Sequence, residues 1–432
     1  MGFPRPPGWA PVPPPAAAWA AAIADRLAHP DQAPAAVTAQ DNRQHLAYGP
    51  TGIALLHIER AAAGLAPWQR AQDWLSAAAR EPFTSGPDSH PFYGAPALAH
   101  AVACAADQLP DSYRRGLDVL DRQVMTDARR RLDAAHRRIE AGHLPALAEF
   151  DAIRGLTGYG AHLLRRDPAG PVTRAVLDYC VRLTHPVTYD GERLPGWWVP
   201  TGPSGRPDDR FPGGHANHGM AHGVGAVLTL LALATRCGTT VPGHHQAMRT
   251  ILAWLERWKV PTGRGTAWPY WITREELRRD RPAASAPRRP SWCYGTAGLA
   301  RAQQLAALAL GDSDLQVEAE AALLDALSDR AQLRATTDSG LCHGFAGLVQ
   351  IAARAAADAD RATAGQLRAA IPALLTVLVP PGSAPGDAAA LLLKDAAGAG
   401  LLDGAAGTAL GLLTADSTDP PRTAWDACLL TA

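Results

Sequence analysis

Apolar residues fall along this chain in two kinds of stretch. Runs such as Ile53-Ala54-Leu55-Leu56 and Val227-Leu228-Thr229-Leu230-Leu231 are nearly apolar all round and predict helices buried on every side. Stretches such as Asp111 to Ala141 and His244 to Lys259 alternate charged and apolar residues at helical spacing and predict amphipathic helices. Each buried run opens on a glycine turn. Full G-x-x-G phrases begin at Gly49, Gly155, Gly295, Gly344 and Gly404, and weaker copies begin at Gly94 and Gly223, with Ala97 and Ala226 at the second glycine position. One buried and one amphipathic helix per unit, seven times over, predicts a repeat architecture. The expected fold is all-α: an α/α toroid of seven inner helices wrapped by seven outer ones. All seven glycine turns then fall at one end of the inner ring, around a central opening. Glycine is expected there for unusual dihedrals and close backbone approach. The stretch from Pro186 to Asn217, with Val187-Thr188-Tyr189 and Trp197-Trp198-Val199 among several Gly and Pro, has no helical period. It predicts a long loop or short β excursion over the open end.

The chain has 432 residues, more than one compact core usually holds, but a toroid is a continuous ring. Residues 1–15 are Pro-rich and predict an extended tail, leaving 16–432 as a single domain. The tail has no basic-then-apolar signal pattern, and Pro6 excludes myristoylation at Gly2. The longest apolar run, Val224 to Ala234, is too short to span a bilayer. Lys plus Arg and Asp plus Glu are both 41, so nothing suggests nucleic-acid binding by bulk charge. The six cysteines have no framework spacing, which argues against a disulfide scaffold. A cytoplasmic protein is expected, with any membrane association made through partners.

Candidate chemistry sits in two near-identical phrases. Trp292-Cys293-Tyr294-Gly295 and Leu341-Cys342-His343-Gly344 bring two thiols and an imidazole to equivalent turns. These are zinc-type ligands, and three of them leave a coordination position open, as in a catalytic site. Their place before helix N-termini favours thiolate. Two buried cysteines would be the plainer reading of either phrase alone. His215, His218 and His222 offer a second imidazole cluster, weakened as a metal site by its Gly-rich setting and its lack of a thiol or carboxylate.

The phrases Trp292-Cys293-Tyr294-Gly295, Cys342-His343-Gly344 and Ala221-His222-Gly223 together resemble the lanthionine synthetase C-like family. So do Asp151-x-x-x-Gly155-Leu156-Thr157-Gly158 and the C-terminal Trp425-Asp426-x-Cys428. The resemblance implies an α/α toroid with one zinc per chain, held by Cys293, Cys342 and His343. It implies a lanthipeptide cyclase: Michael addition of peptide Cys thiolates to dehydroalanine or dehydrobutyrine, forming thioether rings. His222 would transfer the proton, Asp151 would orient it or take the thiol proton, and Arg289 and Tyr294 would stabilise the enolate. The alternatives are a structural histidine at His222 and a helix-capping carboxylate at Asp151. The implied partners are a dehydrated precursor peptide and, since the chain has no room for a dehydratase domain, a separate dehydratase and a transporter in a complex. Rival readings are a non-catalytic zinc toroid that binds glutathione or a peptide thiol, and a prenyltransferase β-subunit. The adjacent Cys342-His343 pair does not fit the latter's ligand set.

Overall fold

The computed structural model describes residues 16–283, 288–379, 382–395 and 397–432. The Pro-rich segment 1–15 lies outside them. Seven helices each begin directly after one of the turn glycines: Pro50–Ala62, Ala95–Ala106, Leu156–Arg166, Val224–Arg236, Thr296–Leu310, Phe345–Asp358 and Ala405–Ala415. We number them inner helices 1 to 7. Each packs against the next, and helix 7 packs against helix 1, so the ring is closed. Their apolar runs are buried almost throughout, from Val224 to Ala232 in helix 4 for example. This is what a helix surrounded by other helices requires.

The outer layer follows the amphipathic pattern. Trp68–Ala78, Pro110–Glu140, Pro171–Leu183, His244–Arg257, Ser313–Ser328 and Arg361–Leu378 pack against inner helices 1 to 6 in turn. In Pro110–Glu140 the buried apolar residues Leu117, Leu120, Val124, Ala128, Leu132 and Ala135 recur at three- and four-residue spacing, and the one buried charge, Asp127, accepts from Gly86 N–H and Ser89 Oγ. Proline at the first position of Pro50–Ala62, Pro110–Glu140 and Pro171–Leu183 is preorganised for a helix start. The seventh outer helix is not the next one in sequence. It is the N-terminal Ala16–Arg26, which packs on inner helix 7 with Trp19 buried. The first helix among the described residues is thereby packed beside the last inner helix.

The excursion over the open end is larger than the stretch 186–217. It does hold a hairpin, Val187–Tyr189 with Glu192–Leu194, and the strands Trp198–Val199 and His215–Asn217. The three-stranded antiparallel sheet, however, is completed by Trp271–Thr273, with His215 opposite Thr273. A further pair joins Val260–Pro261 to Thr266–Ala267. These strands are two or three residues long, too short for period-two alternation to be read from sequence.

The C-terminal residues run through the inside of the ring. His100 of inner helix 2 bonds the Trp425 carbonyl, and Arg301 of helix 5 donates to the Thr431 carbonyl. Arg354 of helix 6 grips buried Asp426 with two bonds of 2.6 Å. Trp292, next to Cys293, donates to the Leu429 carbonyl at 2.8 Å. The tail therefore lies beneath the glycine turns and gives the central opening a floor.

Candidate metal centre and active site

The seven turns are stitched together by main-chain hydrogen bonds. Ala152 N–H donates to the Ala221 carbonyl, Ala221 to Cys293, Cys293 to Cys342, and Cys342 to Leu402. Leu401 donates to Ala47, and Leu46 to Phe92. The remaining gap is closed by His90 Nδ1, 3.1 Å from the Ile153 carbonyl. The bonding main-chain groups sit two or three positions before the turn glycines, so the ladder brings Cys293 and Cys342 side by side although the chain separates them.

Of the two reasons expected for glycine at these turns, close approach holds throughout and unusual dihedrals hold at two of them. Only Gly94 and Gly295 have a positive φ, 75° and 128°. The others are near-extended, and their glycine is required by close approach. At Gly344 a Cβ would lie 2.4 Å from the main-chain nitrogen of Gly340.

The ligand atoms of Cys293, Cys342 and His343 lie within 4.8 Å of one another, the one such His/Cys/Asp/Glu group found among the described residues. Ligand atoms around a tetrahedral zinc with Zn–S of about 2.3 Å and Zn–N of about 2.0–2.1 Å are slightly closer than this. The donor set therefore fits zinc after small side-chain adjustment. Cys293 is buried and Cys342 and His343 are half-buried. Hydrogen bonding from Cys342, opposed by burial and assisted by His343 and Ser291, holds the Cys293 thiol well below its usual range. The same pairing, with burial, pushes Cys342 well up. Two thiolates this close need a cation beside them.

Two carboxylates flank His343. Asp338 lies 3.4 Å from Nε2 and Asp403 lies 3.3 Å from Nδ1. Each ring nitrogen thus faces a carboxylate at ion-pair distance, and Asp403 Oδ1 has no hydrogen-bond partner among the described residues, so it is available to the imidazole when the other nitrogen meets a metal. Asp338 also faces the Arg289 guanidinium at 3.7 Å, which connects Arg289 to the ligand cluster. The sequence reading missed both aspartates. Asp403 could have been found, because it occupies the position just before Gly404, as His343 does before Gly344.

On the neighbouring turns Asp151 and His222 meet. Asp151 divides its two oxygens. Oδ1 accepts from the main-chain N–H groups of Arg154 and Gly155 at 2.6 and 2.8 Å, and Oδ2 meets His222 Nδ1 at 2.6 Å. A carboxylate can only accept, so Nδ1 carries the hydrogen and Nε2 is left to exchange protons. Capping and orientation are thus both present. Tyr294 lies between this dyad and the thiols. Its ring is 6.3 Å from that of His222, and its hydroxyl accepts from Asn217 at 3.0 Å. Burial, with the charges of Cys293 and Asp151, raises its pKa, so its own proton stays available to donate.

A profile of the lanthionine synthetase C-like proteins matches residues 40–430. The chain belongs to the lanthionine synthetase C-like family. It is 24% identical over 247 residues to nisin biosynthesis protein NisC of Lactococcus lactis subsp. lactis, an alignment spanning 56% of this chain and 56% of that protein, about half of each. The solved structure of nisin cyclase superposes with a TM-score of 0.73 at 20% identity, covering 90% of this chain and 92% of that one. That likeness establishes the α/α toroid as the fold shared with this family member.

His215 and His218 bond chiefly to carbonyls of the excursion, and His215 reaches the site only through Asn217, 3.5 Å from its Nε2. His215 Nδ1 bonds the Thr201 carbonyl at 2.8 Å. His218 bonds the Pro269 carbonyl through Nδ1 and accepts from Trp254 through Nε2, both at 2.8 Å. Burial lowers both pKa values to about 4, so these are neutral imidazoles that tie the excursion to the ring. Among the described residues no helix is long and apolar enough to cross a membrane.

Proposed function

We propose that the chain is a zinc-dependent lanthipeptide cyclase that closes thioether rings in a dehydrated precursor peptide. The observation that carries this reading is the convergence of a thiol–thiol–imidazole cluster and an Asp–His dyad at one opening. Binding a thiol needs only the former. Cys293 and Cys342 through sulfur, and His343 through a ring nitrogen, would hold one zinc. Bound there, the metal supplies the acidity that makes a peptide thiol a thiolate at neutral pH.

The chain's own residues do the rest. The peptide Cys sulfur adds to the β-carbon of dehydroalanine or dehydrobutyrine. An S–C bond forms, the C=C π bond breaks, and its electron pair moves onto the α-carbon and its carbonyl oxygen. His222 Nε2 takes the thiol proton and returns it to the α-carbon, so the ring closes with no net change in atoms. Asp151 Oδ2 holds the imidazole in the tautomer this requires and stabilises its charged form. Arg289 and Tyr294 are donors for the carbonyl oxygen as it gains charge. The precursor would come from a separate dehydratase, with a transporter in the same complex, at the cytoplasmic side of a membrane.

The test is incubation with a dehydrated precursor, with and without a chelator, counting free thiols by alkylation. Loss of thiols that the chelator prevents, and that His222→Asn abolishes while keeping metal and helical content, is expected. Metal-retaining protein that binds the peptide and consumes no thiol would overturn catalysis in favour of thiol binding.

A further inference from the structure

The seven turns share a register with a consequence beyond the ligands. The residue just before each turn glycine is Tyr48, Tyr93, Arg154, His222, Tyr294, His343 or Asp403 in ring order. The last four belong to the metal and acid–base half described above. The first three form the facing half, and the proposed reaction uses none of their side chains.

This facing half is a continuous aromatic wall. The His45 ring lies 4.6 Å from that of Tyr48, 5.8 Å from Tyr93 and 6.0 Å from His90. Tyr93 and His90 are also 6.0 Å apart. Tyr48 is 49% exposed, the one aromatic residue among the exposed large hydrophobic side chains described. Its phenol lies within electrostatic reach of Asp403 and Cys342 on one side and Arg154 on the other. Arg154 is exposed, and its guanidinium enters no ion pair among the described residues. Burial, with Arg154 adding to it, lowers His45 to about 4, and His90 likewise falls to about 4. The imidazoles of the wall are therefore neutral near pH 7, which leaves Arg154 as its cation.

We propose that Tyr48, Tyr93 and Arg154 form a substrate-binding wall that anchors the dehydrated peptide opposite the metal cluster. The Arg154 fork takes a peptide oxygen, and the two tyrosines pack against the flanking residues. This rests on the cyclase reading given above and adds to it the surface that holds the non-reacting part of the peptide. Exposed tyrosine and arginine carry a large share of binding energy at peptide and protein interfaces, because both offer wide contact area with directed donors. A guanidinium with no carboxylate of its own is free for a carbonyl or an acidic side chain of the substrate.

The test uses a labelled dehydrated precursor with its cysteines changed to serine, so that binding is read without ring closure. Arg154→Gln keeps the main-chain N–H that Asp151 accepts. It should weaken binding of this peptide about tenfold or more, and Arg154→Lys should recover part of the loss. With the reactive peptide, KM should rise in the same proportion and kcat should stay within about threefold. Peptide binding unchanged in Arg154→Gln overturns the wall, and so does a fall in kcat at constant KM, which would place Arg154 on the reacting carbonyl instead. Neutralising the peptide's acidic residues separates the two oxygen sources. The Arg154→Gln loss persists for a main-chain carbonyl and disappears for a carboxylate. Failure of the parent protein to close rings would refute the cyclase reading alone, since the serine peptide still reports the wall.

Discussion

Asp151→Asn separates two jobs that one carboxylate performs. In the parent, Oδ1 caps the third turn and Oδ2 holds His222 Nδ1 at 2.6 Å. Asparagine keeps a carbonyl oxygen for the cap but places an NH₂ against Nδ1. That group donates, so Nδ1 must accept, and the imidazole is driven to the tautomer with its hydrogen on Nε2. Stability should therefore change by less than about 1 kcal/mol, while the proton-transfer contribution of His222 is lost. General acid–base catalysis contributes about 10²–10⁴-fold, so ring closure should slow by that factor, or by about 2.7–5.5 kcal/mol of barrier. Asp151→Ala removes both functions. Gly155 N–H still reaches the Asp151 carbonyl at 3.1 Å, which leaves Arg154 N–H as the group that loses its partner. The alanine variant should lose about 0.5–2 kcal/mol of stability, the usual cost of a lost cap, with a rate as low as that of asparagine. Thiol alkylation after timed incubation gives the rate, and thermal unfolding gives the stability. An asparagine variant that closes rings at the parental rate would refute the orienting role. One that is as unstable as alanine yet active would assign Asp151 to the cap alone.

Metal analysis of the purified protein should find close to one zinc per chain, and Cys342→Ala should lose most of it; full retention would remove Cys342 from the ligand set. Asp426→Ala should cost about 3 kcal/mol in denaturant unfolding, because it removes the buried carboxylate that pairs with the half-buried Arg354 cation through two 2.6 Å bonds. A loss below about 1 kcal/mol would mean that the C-terminal tail is not anchored this way. Burial lowers His57 and His218 to about 4 and His100 to about 3, below the value of about 6.5 expected when unfolded. Between pH 6.5 and 4 the unfolded chain thus binds protons that the folded chain does not, so stability falls as pH falls through that window. Each of these histidines adds up to about 1.4 kcal/mol per pH unit. Melting temperatures that stay flat from pH 7 to 5 would contradict their burial as neutral groups.

What could be read from sequence, and what could not, follows from how each feature is encoded. The inner ring was legible because its turns are a main-chain device repeated seven times. A backbone that must approach another backbone admits little but glycine, so Gly49, Gly155, Gly295, Gly344 and Gly404 recur in phase. The soft ligands stood out for a related reason, since two cysteines at equivalent phases of a repeat are not a composition effect. Asp338 carries no such mark, because a loop aspartate is ordinary until the ladder of turns sets it beside His343. Asp403 and Arg154 do hold the repeat position just before a turn glycine, so their register marks them even though neither is a soft ligand. The joining of Ala16–Arg26 to inner helix 7 and of Trp271–Thr273 to His215–Asn217 are long-range pairings of short, unremarkable segments, and local patterning does not reach them.

The ladder also accounts for why the site is built where it is. Each turn contributes a side chain at the position before its glycine, and ring closure fixes their order around the opening irrespective of loop length. Changing the residue at that position alters the chemistry of one sector while the main-chain bonds beneath it stay in place. This predicts a difference in kind between two substitutions on the same turn. His343→Ala should empty the ligand sphere and leave the fold standing. Gly344→Ala should unsettle the turn itself, since its Cβ would sit 2.4 Å from the Gly340 nitrogen and backbone cannot yield as a side-chain tip can. Unfolding and metal content measured on both variants would discriminate. A Gly344→Ala protein as stable as the parent would mean that close approach does not explain glycine at these turns.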